Sequence, residues 1–131
     1  MSKYLTFPDI VFKDRQLILA ALAELGYADV EEGDALSLYG YRGDRRPETA
    51  EIVVRRQHVG SLSNDIGFTR TPQGYVPLVS EYDQRTAHGG QFLVKLRTAY
   101  SERVIEEVRH RLHGTAQRRV DGSLIKIRVR F

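Results

Sequence analysis

This chain encodes an α+β fold, a mainly antiparallel sheet with two helices packed on one face as a two-layer sandwich. Three observations carry that expectation. Several short stretches alternate apolar and polar residues and are separated by Gly- and Pro-containing turns, the pattern of half-buried strands. Two longer stretches repeat apolar residues every three or four positions, the pattern of amphipathic helices. The elements follow the order strand, helix, four strands, helix, two strands. Two helices of this kind cover one face of an antiparallel sheet.

Residues 5–12 mix apolar side chains with Pro8, which restricts them to a short edge strand. Asp14 is a suitable N-cap for a helix over 15–25, where Leu17, Ile18, Ala21, Leu22 and Leu25 form one apolar face. Gly26 supplies its stop. A strand over 35–41 leads into the polar loop 42–47, and a second strand follows over 51–57. Asp65-Ile66-Gly67-Phe68 opens a third strand, with Gly67 placed where a side chain would normally pack. Thr71-Pro72-Gln73-Gly74 turns the chain into a fourth strand over 75–82, completing a meander. A polar loop is expected over 83–90. The second helix spans 91–113, where Phe92, Leu96, Tyr100, Val104 and Val108 form a stripe widened by Leu93, Ala99 and Ile105. Gly114 ends it. The closing hairpin pairs 115–120 with 123–131 around Asp121-Gly122, a type I′ turn signal.

At 131 residues, 41% apolar and 28% charged, the chain is expected to be one soluble domain, 1–131. It has no cysteine, which removes disulfides, thiolate metal sites and cysteine nucleophiles. Neither a basic-then-apolar leader nor an apolar run of about 20 residues occurs, so a cytoplasmic location and no membrane contact are expected. The net charge of +3 is uneven. Residues 1–65 carry 8 Lys/Arg against 11 Asp/Glu (−3), and residues 66–131 carry 12 against 6 (+6). A basic C-terminal half suits either an anionic partner or an ordinary solvated surface.

Four constellations could carry chemistry. His110 and His113 lie three apart on a helix, with Glu106 four before His110 and with His58 or His88 as a third ligand. The same histidines also suit the C-terminal dipole of a helix, which is the preferred reading. Asp65, Glu81 and Asp83 would meet at one sheet end if their strands pair, giving a divalent-cation or acid–base cluster of a metal-dependent hydrolase. Such groups are more often solvated strand ends or turn acceptors, and that reading is preferred. Arg119, Lys126, Arg128 and Arg130 form a basic row on the hairpin, a phosphate-contacting patch or a charged edge that resists sticking. The row has no stacking aromatics. Tyr39, Tyr41, Tyr75 and Tyr82 lie in the meander and suit a protein-binding patch on the uncovered sheet face. No phosphate-loop, dinucleotide or nucleophile-elbow motif is present, so no catalytic residue and no cofactor is assigned.

Several of these features together resemble one family. They are a helix ending Leu25-Gly26-Tyr27, the strand Asp65-Ile66-Gly67-Phe68, and the strand over 75–79. A long helix with Phe92-Leu93, Leu96 and Tyr100 follows, then the ending from Asp121-Gly122-Ser123 to Phe131. The chain is similar to the hypothetical chloroplast reading frame thirty-five family, an uncharacterised domain of plastids, cyanobacteria, other bacteria and phages. Photosynthetic members commonly carry tryptophans after the fourth strand, where this chain reads Glu81-Tyr82-Asp83-Gln84. The resemblance implies no catalytic residue. It implies an accessory or adaptor role beside an AAA-type ATPase and a very small companion protein. The expected function is therefore a non-enzymatic interaction module with a protein partner, self-association included. The alternative is a nucleic-acid-associated protein acting through the basic hairpin.

Overall fold

The computed structural model describes residues 2–118. Strand β1 (Tyr4–Thr6) is followed by helix α1 (Arg15–Glu24), then by strands β2 (Glu31–Tyr39), β3 (Arg45–Val54), β4 (Ile66–Thr71) and β5 (Gly74–Ser80). Helices α2 (Glu81–Thr86) and α3 (Phe92–Arg118) complete the described chain. The strands form one antiparallel sheet in the order β1-β5-β4-β3-β2. The α+β class expected from the sequence is the one observed.

Side-chain alternation decides what each face of the sheet buries. Ile52 and Val54 of β3, Ile66 and Phe68 of β4, and Val79 of β5 share the helix side, where they pack with Ile18, Ala21 and Leu22 of α1 and Phe92, Leu96 and Tyr100 of α3. Asp14 caps α1 by accepting from the N–H groups of Gln16 (2.9 Å) and Leu17 (3.3 Å). The Tyr100 hydroxyl accepts from the backbone N–H groups of Lys13 (3.2 Å) and Asp14 (3.0 Å), which fixes the start of α1 against α3.

The opposite face holds a second, smaller core of Tyr4, Leu38, Ala50, Val53 and Leu78. Gly67 lies between Val53 and Leu78 in the ladder. A Cβ there would stand 2.8 Å from the Ala50 Cβ and 3.1 Å from Leu38 Cδ2. The outer part of the β2–β3 hairpin therefore folds back over β4, and Gly67 leaves the space into which it folds. Part of the face expected to be uncovered is covered by the sheet's own hairpin.

Two expectations are corrected. The end of the strand expected over 75–82 and the start of the polar loop expected over 83–90 form helix α2 instead, because Ser80 accepts from the Asp83 N–H at 3.1 Å and Glu81 and Asp83 place negative charge in the first turn. The second helix does not stop at Gly114 but runs to Arg118, so 115–118 are helical and not strand. One glycine costs a helix only about 1 kcal/mol, and no proline follows to force an end. The rest of the expected hairpin, 119–131, lies outside the described residues.

Candidate interaction site

The ends of β2, β3, β4 and β5 converge on Asn64 and Asp65, immediately before β4. Asp65 is buried and its carboxylate accepts three hydrogen bonds. They come from the N–H of Tyr39 (2.8 Å), the N–H of Arg56 (2.7 Å) and Arg55 Nη1 (2.8 Å). Its own N–H donates to the Tyr39 carbonyl at 2.9 Å, and its carbonyl accepts the Tyr4 hydroxyl at 2.5 Å. Burial, with the Asp65 charge second, drives the Tyr4 phenol far above its ordinary pKa. Arg55 also forks onto Glu31, at 2.7 and 3.1 Å. That pair lowers the Glu31 pKa and raises that of Arg55. A second arm of the network runs through Asn64. Its side-chain oxygen accepts from the Tyr41 N–H at 3.1 Å and its amide donates to Ser80 Oγ at 2.9 Å. Asp83 Oδ2 accepts from the Asn64 N–H (2.9 Å) and from Ser80 Oγ (2.8 Å). Asp83 Oδ1 is buried and has no hydrogen-bond partner among the described residues.

The network brings Asp65 and Asp83 to the two sides of Asn64, but Glu81 stays exposed on α2. No group of three or more His, Cys, Asp or Glu residues able to hold a metal ion occurs among the described residues. The histidines are dispersed. His58 approaches Asp29 at 3.4 Å, His88 stacks edge-on against Tyr27, and His110 and His113 are exposed on α3. Burial lowers the His88 pKa, with Lys95 adding to the effect. His88, Gly89 and Gly90 all have positive φ in the link between α2 and α3.

On the surface above Asn64, the tyrosines divide. Tyr41 and Tyr82 line one cleft of about 420 Å³ with Ser2, Leu62, Glu81 and Arg85. Leu62 is 56% exposed there. Tyr41 is held by Asn64 through its N–H and by Arg42, whose Nε donates to the Tyr41 hydroxyl at 2.8 Å. Tyr82 is held by its N–H, which donates to Ser2 Oγ at 2.8 Å. Tyr39 stands apart under the Arg55 guanidinium, 5.7 Å from the ring centre. Tyr75 packs against the helix-side core and exchanges two backbone hydrogen bonds with Phe12. The four tyrosines therefore do not share one surface. Arg119, Lys126, Arg128 and Arg130 lie outside the described residues.

Ser80, Asn64 and Arg55 are the residues that sequence reasoning missed. The Ser80-x-x-Asp83 spacing is the signature of a capped helix start and would have located α2. Nothing in the local sequence marks Arg55 as the partner of a buried carboxylate.

A family described as "Protein of unknown function (DUF1257)" matches residues 21–124. The chain belongs to this family. The match covers α1 from Ala21 onward, the meander, the Asn64–Asp65 network and α3. No curated protein and no solved structure matches the chain. No described helix of this DUF1257 chain is long and apolar enough to cross a membrane.

Proposed function

We propose that the chain is a cytoplasmic, non-enzymatic interaction module that docks a protein partner in the Tyr41–Tyr82 cleft. One observation carries this reading. Two tyrosines, the exposed Leu62 and the Arg85 guanidinium gather in one concave patch on a rigid buried network. Tyrosine and arginine supply much of the binding energy at protein interfaces, since each offers a large apolar body with a polar end. The likeness of Asp65-Ile66-Gly67-Phe68 and the long helix to the chloroplast reading frame thirty-five family supports an AAA-type ATPase as partner. A small companion protein would belong to the same assembly.

The test is co-elution of the chain, at native expression level, with that ATPase. Leu62→Asp combined with Tyr82→Ala should abolish co-elution while leaving the thermal midpoint within a few degrees of the parent. Retained co-elution of this variant would remove the cleft from the account. Failure of the parent to co-elute with any AAA-type ATPase would remove the partner.

A further inference from the structure

Helix α3 carries a second stripe on the side away from the sheet, four of its six residues apolar and two, Thr98 and Ser101, small and polar. Its inward residues are Phe92, Leu93, Leu96, Ala99 and Tyr100, all buried. At about 100° per residue, Val94, Thr98, Ser101, Ile105, Val108 and Leu112 fall on the other side. Their spacing of four, three, four, three, four is the heptad seam of a coiled coil. Val94 is 58% exposed and Ile105 is 36% exposed, although both are β-branched apolar residues. With Ile10, Val11 and Phe12 they line an open groove of about 570 Å³.

Two charged residues on the same helix flank the seam and line the groove, Arg97 on one side and Glu102 on the other. Neither side chain has an ion-pair or hydrogen-bond partner among the described residues. Nearby Arg103 and Arg111, by contrast, are paired with Glu24 and Glu107. Arg97 and Glu102 are five apart, the offset between a g position and the following e position. In a parallel pair of helices that offset sets Arg97 of each copy beside Glu102 of the other, twice by symmetry. The surface is therefore self-complementary in charge, with the small hydroxyl residues Thr98 and Ser101 between the charged pair and apolar Val94, Ile105, Val108 and Leu112 on either side.

We propose that two copies of this chain associate in parallel through the outer seam of α3, with reciprocal Arg97–Glu102 pairs. The seam from Val94 to Leu112 is short for a free coiled coil. Up to Val104, however, the helix is already held by packing of its inward face on the core, so association need not supply the cost of helix nucleation. The surface is distinct from the Tyr41–Tyr82 cleft, and the proposal does not depend on the cleft's function.

Sedimentation equilibrium of the full chain over a range of concentrations tests the proposal. Arg97→Glu and Glu102→Arg each turn two attractive contacts into two repulsive ones and should weaken dimerisation by about tenfold. The double variant restores opposite charges in exchanged positions and should return the dissociation constant to near the parent's. Both side chains are exposed, so equal thermal midpoints verify that the fold is kept. Ile105→Asp should give a monomer. A parent that is monomeric up to about 100 μM overturns the proposal. So does a dimer indifferent to Arg97→Glu, or a double variant no better than the single ones. An antiparallel pair would instead oppose Lys95 to Glu102, and Arg97→Glu would leave it unchanged.

Discussion

Gly67 has no side chain to spare because Ala50 and Leu38 already fill the space over it. Gly67→Val should therefore destabilise the fold by about 1–3 kcal/mol through overpacking, read as a lower midpoint in urea. Ala50→Gly in the same chain removes the nearest obstructing atom and should recover part of the loss. A Gly67→Val chain as stable as the parent would show that the hairpin yields without cost. Asp65 presents the complementary case, a charge that needs its surroundings. Asp65→Ala leaves Arg55 half-buried with one carboxylate fewer and strands the N–H groups of Tyr39 and Arg56. Loss of one partner of a buried ion pair costs about 3–5 kcal/mol, and urea titration should show a loss of that order. The sequence exposed Gly67 as an oddity and Asp65 as part of a motif. The reason for both lay in contacts from residues 9 to 29 positions away in the chain, which no local pattern reports.

At the scale of elements, the long helix was the most legible. Its inward stripe follows from period alone, and Leu96 is fully buried as that period requires. Leu96→Ala should cost about 2–5 kcal/mol, measured by chemical unfolding. Ile105, assigned to the same stripe, is instead exposed, because nine residues beyond Leu96 the helix has turned by half a revolution, and Val108, a third of a revolution round from Leu96, lies outside the core cluster as well. Helix α2 was not legible as a helix, since six residues are too few to establish a period. It rests on its cap. Ser80→Ala removes the acceptor for the Asp83 N–H and for the Asn64 amide, and should cost about 1–2 kcal/mol. Its second effect should be on the Tyr41–Tyr82 cleft, which α2 and Asn64 together hold open. Weaker partner co-elution at unchanged expression would report that effect.

For the whole molecule, pH sets the balance between folded and unfolded chains. Burial holds the His88 pKa below its ordinary 6.5, so the unfolded chain takes up this proton first as pH falls. The contribution is complete above about pH 6.5 and declines as pH drops below it. Glu31 adds a second decline below about pH 4.5, because its pairing with Arg55 depresses its pKa. Thermal midpoints from pH 7.5 to 5 should fall, and His88→Asn, which tolerates the φ of 50°, should flatten that slope. An unchanged slope would exclude His88 as its source. Reversal of two C-terminal charges, Lys126→Glu with Arg128→Glu, should leave partner co-elution intact if the Tyr41–Tyr82 cleft is the docking site, and its loss would instead favour the basic row. The architecture itself was legible because strand alternation and helix period are local signals. The folding back of β2–β3 was not, since it depends on an absent side chain at Gly67. The sheet order places β1 beside β5, and Tyr100 clasps the start of α1. Strand β1 and the start of α1 thus have their partners about 72–87 residues later in the chain. A nascent chain ending before Tyr100 has no complete core to form. The core cannot close until β5 and α3 have been made, and until then the apolar face of α1 is open to chaperones.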